Sequence, residues 1–76
     1  MFGIVLKQIR LSIFLTQKLL CEKANIPLGT YKNWELGRQL PDPNSWKKLL
    51  QFLKSTGTTK YIDLEKIYLA EKVKKR

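Results

Sequence analysis

The 76-residue sequence contains no histidine and only one cysteine, Cys21. Histidine is the side chain that most often transfers protons in enzymes, and one cysteine cannot supply a Cys/His zinc site. A single cysteine also cannot form an intrachain disulfide, which suits a reducing compartment. These scarcities exclude zinc fingers and disulfide-stapled folds. Since no acid–base pair or nucleophile–base set is evident either, we expect no metal, no cofactor and no enzymatic activity.

Acidic residues are also few, because six Asp and Glu stand against fifteen Lys and Arg, which gives a net charge of +9. A polyanion is the natural partner of such a chain, and nucleic acid is the commonest polyanion. An anionic membrane surface is the competing partner. No apolar run approaches the roughly 18 residues of a membrane span. Lys7, Arg10 and Lys18 interrupt the apolar N-terminal stretch, which argues against a signal peptide. We therefore expect a cytoplasmic protein.

Turn-forming residues divide the sequence into five segments in which apolar residues recur at helical spacing. The predicted helices cover about residues 2–11, 17–24, 28–36, 43–55 and 59–74. No segment alternates with period two, so strands are not expected. Hydrophobic residues make up 43% of the chain, which is enough for a small core. The sequence predicts an all-α fold, a compact bundle of about five helices in a single domain spanning residues 1–76.

The limits of the second and third helices are the best defined. Thr16 is predicted to cap the start of the second helix with its hydroxyl, and Asn25 to end that helix in a left-handed turn. Pro27 fixes the start of the third helix, and Gly37 stops it. A helix, a tight turn and a second short helix over about residues 16–36 form the organisation of a helix-turn-helix unit.

The residues that fill this unit resemble a known family. The stretches 15–17, 20–26 and 30–38, followed by Pro41, resemble the Cro/phage-repressor (XRE-like) helix-turn-helix family. Its members typically carry Leu-Thr-Gln at the second helix, Trp-Glu-x-Gly-Arg after the recognition helix, and a small residue where Cys21 stands. The likeness extends over roughly residues 6–53. It implies the lambda-repressor-like fold and a transcriptional regulator, in particular a repressor, that binds double-stranded DNA sequence-specifically.

The resemblance also implies which residues contact the DNA backbone. Gln17 lies in the first turn of its helix, where free N–H groups and the helix dipole favour a phosphate, and in the family the matching Gln also braces the recognition helix. Arg38 is expected to contact a phosphate from the loop after that helix. Lys18 is a weaker candidate.

The recognition helix is expected to present its exposed side chains to base edges in the major groove. The candidates at matching positions are Leu28, Gly29, Thr30, Lys32 and Asn33. Family members often carry polar residues at the positions of Leu28 and Gly29, so base readout here should rest on Thr30, Lys32 and Asn33. DNA shape would then carry more of the specificity.

Other matching residues imply structural roles. The family often pairs the residues matching Arg10 and Glu35 as a partly buried ion pair between the first and third helices. Tyr31 and Trp34 are expected in the core, with Trp34 at its edge, where part of the indole would lie near the DNA backbone. Cys21 is expected to be an inert buried thiol.

The last two helices carry an apolar stripe that exceeds what a small monomer needs. Its members are Trp46, Leu50, Leu53, Leu64, Ile67 and Tyr68. We expect the C-terminal helix, about residues 59–74, to form a homodimer at least on DNA, with two recognition helices about 34 Å apart on a near-palindromic operator. Alternatively, the stripe closes the core of the monomer. A basic tail of Lys72, Lys74, Lys75 and Arg76 is either solvated or adds phosphate contacts.

Three other functions compete with that of a repressor encoded by a phage or another mobile element. The chain could be the antitoxin of a toxin–antitoxin pair, which binds its own promoter and a protein toxin. It could bind RNA or an anionic membrane surface through its positive charge. An enzyme is the weakest alternative.

Overall fold

The computed structural model describes residues 1–74 and contains five α-helices and no strand in that range. The helices are α1 (Phe2–Ser12), α2 (Gln17–Ala24), α3 (Leu28–Glu35), α4 (Pro43–Ser55) and α5 (Tyr61–Lys74). α1 packs against α3 and α5, while α2 packs against α3 and α4. The predicted all-α bundle is confirmed, and the predicted helix limits differ from these by one or two residues at most. Lys75 and Arg76 of the predicted basic tail lie outside the described residues.

Each of the first four helices is followed by a residue in the left-handed region of backbone space. These residues are Phe14 (φ 61°), Asn25 (φ 61°), Gly37 (φ 80°) and Gly57 (φ 83°). This conformation ends a helix and redirects the chain, and it suits glycine and asparagine better than other residues. The turns at Asn25 and Gly37 were predicted from the sequence; the turn at Phe14 was not.

The start of α2 is fixed by a side-chain cap. Thr16 has extended backbone angles, and its Oγ1 accepts a hydrogen bond from the Leu19 N–H at 3.1 Å. The predicted cap is therefore confirmed. Two residues after the left-handed Asn25, Pro27 precedes the first residue of α3. The turn between α2 and α3 is thus held at both ends by residues whose local chemistry suits it.

The core contains aromatic residues from four of the helices. Trp34 is only 1% exposed and meets Tyr31 edge to face. The expectation that Trp34 lies at the edge of the core is wrong, because the residue is almost fully enclosed within the core cluster. Trp46 of α4 stacks on Tyr68 of α5 with ring centroids 4.2 Å apart, and Phe2 of α1 contacts both rings.

The C-terminal apolar stripe lies inside the monomer. Trp46, Leu53, Leu64 and Tyr68 are buried, and Leu50 and Ile67 pack half-buried against them. The stripe is not surplus surface, because α5 folds back onto α1 and α4 and closes the core with it. Of the two readings of this stripe, closure of the monomer core is the one that holds.

A close helix contact positions α3. A Cβ added to Gly3 of α1 would lie 2.6 Å from the carbonyl oxygen of Trp34 and closer still to that of Glu35. Only glycine allows this approach. The start of α1 therefore rests directly on the last carbonyl groups of α3. Within residues 1–74, none of the helices is long and apolar enough to cross a membrane.

Candidate nucleic-acid interface

The exposed face of α3 is defined by the residues that it buries. Tyr31 and Trp34 are buried on one side of the helix. Gly29, Lys32 and Asn33, spaced at i, i+3 and i+4, lie together on the opposite side. Lys32 and Gly29 are exposed, and Asn33 is half-exposed.

Leu28 and Thr30 border this face. Both are half-buried, and Leu28 packs partly against the core. Of the five candidate base readers, therefore, three project directly outward and two lie at the edges. One of the three, Gly29, has no side chain.

Two grooves flank α3. On one side, Lys32 lines a groove together with Lys7 of α1 and Gln17 of α2. On the other side, Thr30 lines a groove with Arg38 of the following loop. Basic side chains thus lie on both sides of the exposed helix face, as is expected where two DNA strands border a major groove.

The backbone at Arg38 is held by the end of α3. The Gly37 N–H donates to the Trp34 carbonyl at 3.2 Å, and the Arg38 N–H donates to the Asn33 carbonyl at 3.0 Å. These two hydrogen bonds and the left-handed conformation of Gly37 form a Schellman motif. They fix where the exposed Arg38 side chain leaves the backbone.

The start of α2 has the features of an anion site. Gln17 is the first residue of the helix, Lys18 beside it is exposed, and the first turn contains no acidic residue. The first backbone N–H groups of a helix have no partner within it, and the helix dipole makes this end positive. Phosphate is the anion that such an end attracts in nucleic acids.

Glu35 joins three helices through its carboxylate. Arg10 of α1 donates from Nε to Oε2 at 2.7 Å and from Nη2 to Oε1 at 3.3 Å. Gln17 of α2 donates from Nε2 to Oε1 at 3.0 Å, and the Tyr31 hydroxyl of α3 donates to Oε2 at 2.5 Å. A further Arg10 bond, from Nη1 to the Leu15 carbonyl at 2.9 Å, anchors the loop between α1 and α2. The Arg10–Glu35 pair is buried and fully hydrogen-bonded.

A helix-turn-helix family model matches residues 6–59. The match begins within α1 and runs through α4 into the loop that leads to α5. No curated protein and no solved structure matches the chain.

The chain belongs to the Cro/phage-repressor (XRE-like) helix-turn-helix family.

As a member of the XRE-like family, the chain is a DNA-binding transcription regulator with the lambda-repressor-like all-α fold. α2 and α3 are its helix-turn-helix pair, and α3 occupies the position of the recognition helix. The resemblance inferred from residues 15–38 is thus confirmed at the level of the family.

The contacts of Arg10 and Glu35 explain the pKa of each residue. Burial alone would raise the pKa of Glu35, but hydrogen bonds from Arg10, Tyr31 and Gln17 outweigh it and hold that pKa below its ordinary value. The hydrogen bond to Glu35 raises the pKa of Arg10. Burial, followed by the bond to Glu35, raises the pKa of Tyr31. The network therefore holds one negative and one positive charge over the whole physiological range.

Two residues of this candidate interface were not singled out from the sequence. Tyr31 was expected only in the core, yet its hydroxyl also orients Glu35. Their i, i+4 spacing on one helix could have indicated the contact. Lys7 was not singled out, although it lies one turn from Arg10 and faces the same groove as Gln17.

Cys21 is buried, and burial raises its pKa to about 11, which disfavours the reactive thiolate.

Proposed function

We propose that the chain acts as a single DNA-binding domain that represses transcription by binding a near-palindromic operator as a dimer, with α3 in the major groove. The observation that carries this proposal is the exposed Gly29, Lys32 and Asn33 face, bordered by basic grooves on both sides. The one acidic residue of α3, Glu35, is neutralised by Arg10 behind that face.

Base readout is proposed for the outward residues of α3. Asn33 can pair with adenine through two hydrogen bonds, and Lys32 can donate to guanine. Thr30 and Leu28, at the borders of the face, suit contacts with thymine methyl groups. Gly29 allows the helix backbone to approach the bases closely.

Phosphate contacts are proposed for both flanks of α3. Gln17 and Lys18 would hold one strand from the start of α2, and Arg38 would hold the other from the loop after α3. Since Glu35 accepts only one N–H of the Gln17 amide, the second N–H remains available to a phosphate. Lys7, in the same groove, is a further candidate.

A dimer is supported by a second apolar stripe, on the outward side of α5. Ile62, Leu69 and Val73 are 45%, 56% and 70% exposed. With Lys66 they recur at intervals of four, three and four residues, which is the spacing of a coiled-coil seam. This stripe differs from the one predicted in the sequence, which is inside the core.

Charge favours an antiparallel arrangement of two such seams. If two copies of α5 pair antiparallel about the midpoint between Lys66 and Leu69, each lysine faces a leucine. Glu65, on the flank of the seam, then lies on the same side as Lys72 of the other copy and within two residues of its level. A parallel pair would instead place Lys66 against Lys66 in the seam, where like charges repel.

The dimer is tested by replacing Leu69 with aspartate. We expect sedimentation analysis to change from dimer to monomer and operator affinity to fall by about 100-fold, because two tethered sites bind far more tightly than one. Leu11→Asp, also an exposed leucine but on α1, is the matched control and should leave both unchanged. A wild-type chain that remains monomeric on DNA would contradict the proposal.

Sequence specificity is tested by selecting bound sequences from a random pool of duplex DNA. We expect two inverted half-sites with centres one helical turn apart, about 10 base pairs. Enrichment of a single half-site would refute the dimer, and no enrichment at all would refute sequence-specific binding. A reporter gene placed behind the selected site should lose expression when the chain is present.

An antitoxin that also binds a protein toxin is the second candidate. It is favoured by Ile4 and Leu11, two exposed apolar residues seven apart on the side of α1 that faces away from the core. Co-expression with the product of an adjacent gene should give a complex that Leu11→Asp abolishes while DNA binding persists. No complex, or one that is insensitive to Leu11→Asp, would contradict this candidate.

A further inference from the structure

The loop between α1 and α2 contains an aromatic residue in a backbone conformation that rarely accommodates one. Phe14 has a φ of 61°, whereas bulky side chains at positive φ are genuine outliers. The Phe14 N–H donates to the Leu11 carbonyl at 3.0 Å, and the Leu15 N–H donates to the Arg10 carbonyl at 3.3 Å. This is the same Schellman motif that ends α3, with phenylalanine at the place that Gly37 occupies there.

The side chain of Phe14 does not pack against the rest of the monomer. It is 92% exposed, the most exposed of the large hydrophobic residues in the described part of the chain. A strained backbone and a solvated phenyl ring are both unfavourable, and such outliers gather at ligand-binding sites. The folded chain itself therefore supplies no packing partner for the ring.

Phe14 lies just before the start of α2, where the proposed DNA phosphate is bound. The residue lies two positions before Thr16, the cap of α2, and three before Gln17. It thus borders the positive helix end at which the proposed DNA phosphate lies. Arg10 Nη1 holds the Leu15 carbonyl between them at 2.9 Å, so the loop is fixed relative to α2.

The α5 seam of the proposed dimer does not account for the ring. The proposed dimer seam is on α5. Glu71 of α5 accepts a hydrogen bond from the N–H of Phe2, the first residue of α1, at 3.1 Å. Phe14 follows the other end of α1, about 16 Å away along an 11-residue helix.

We infer that Phe14 packs its ring against the deoxyribose of the nucleotide whose phosphate is bound at the start of α2. The sugar offers an apolar C–H surface beside the charged phosphate, and a phenyl ring next to a positive helix end matches both. The contact is independent of base sequence, so Phe14 adds affinity without specificity. This inference rests on the proposed DNA binding.

The test compares Phe14→Gly, Phe14→Ala and Phe14→Tyr. Phe14→Gly removes the ring and the backbone strain together, so its melting temperature should rise by about 5 °C while its affinity for operator DNA falls roughly 5-fold. Phe14→Ala keeps the strain and should lose about as much affinity without the gain in stability. Phe14→Tyr retains the ring and should bind as the wild type does.

Affinities are measured by fluorescence anisotropy on both operator and unrelated duplex DNA, and the loss should be the same on each. Ile4→Ala, which truncates another exposed apolar side chain near the start of α1, should leave binding unchanged. If wild-type chain binds the duplex and Phe14→Gly binds equally well, the inference fails while the proposed function stands. If the wild-type chain binds no duplex, both fail. If Phe14→Gly instead dissociates a dimer in the absence of DNA, the ring belongs to a protein contact and the inference is wrong.

Discussion

The Glu35 carboxylate connects three helices through a single pair of oxygens. Arg10, Gln17 and Tyr31 reach it from α1, α2 and α3, and every buried polar side-chain atom of the described residues has a partner. A buried charge is costly unless its partners are all in place. The network therefore makes the relative placement of α2 and α3 sensitive to single atoms, and Gln17 belongs both to this network and to the proposed phosphate contacts.

Acid should weaken this network. The pKa of Glu35 in the folded chain is below its ordinary value of 4.5, so its contribution to stability is complete above that value and is lost as the pH falls through the folded pKa. The urea midpoint should stay level from neutral pH to about pH 5 and then fall. Glu35→Gln should be less stable at neutral pH, because it leaves Arg10 uncompensated, but should show a shallower fall below about pH 5.

Asp42 provides the control for that measurement. Its pKa is also lowered, by the hydrogen bond from Ser45, but it is exposed and caps α4 outside the Glu35 network. Asp42→Asn should leave most of the acid-induced loss in place. An equally steep fall in Glu35→Gln would show that the carboxylate of Glu35 does not cause it.

Asn33 and Arg38 should respond differently to truncation. Asn33→Ala should weaken operator binding roughly 10-fold and relax selectivity at one base pair, because it removes a base contact. Arg38→Ala should weaken binding to every duplex alike and reduce the salt slope by about one, because it removes a phosphate contact. Equal effects of the two changes on operator and unrelated DNA would contradict this division of roles.

Among the elements, α3 combines good anchoring with an unusual exposed face. Its core side is held by Tyr31, Trp34 and the contact with Gly3 of α1. Its outward side has a glycine at its centre, and a Cβ added to Gly29 would meet no atom within 4 Å. Neither sterics within the chain nor a positive φ requires glycine at this place.

Gly29→Ala should therefore separate folding from binding. Alanine favours helix over glycine, so the free energy of unfolding should rise by about 0.5 kcal/mol. If the backbone of α3 approaches the bases here, the added methyl group should at the same time weaken operator binding several-fold. Urea denaturation and anisotropy on the same preparation measure both quantities. Unchanged affinity would mean that α3 does not approach the DNA closely at Gly29.

The helices themselves were predictable from sequence because their limits are set locally. Thr16, Asn25 and Gly37 cap or end helices by their own chemistry, and apolar spacing supplies the rest. Phe14 could not be predicted as a left-handed residue, because phenylalanine has no preference for that conformation. The role of the C-terminal stripe was open for another reason. Spacing shows that α5 has apolar faces, but only the packed structure shows which of them α1 and α4 cover.

At the scale of the whole molecule, the net positive charge is the property that bears most directly on DNA binding. A net charge of +9 is distributed over an 8.9 kDa chain. The surface that is proposed to face DNA contains Lys7, Lys18, Lys32 and Arg38. If several of these neutralise phosphates in each protomer, operator affinity should fall about 1,000-fold between 50 and 200 mM salt. A titration that shows a flat response to salt would contradict binding through the DNA backbone.

The two tryptophans are both enclosed, Trp34 beside Tyr31 and Trp46 on Tyr68. The chain therefore carries its own optical reporters, one on the recognition helix and one at the junction of α4 and α5. Their emission should be blue-shifted and poorly quenched by acrylamide in the native state, and both properties should change on unfolding. Since both indoles are buried, a change in emission on adding operator would report movement of α3 or α5 within the protein rather than contact with a base.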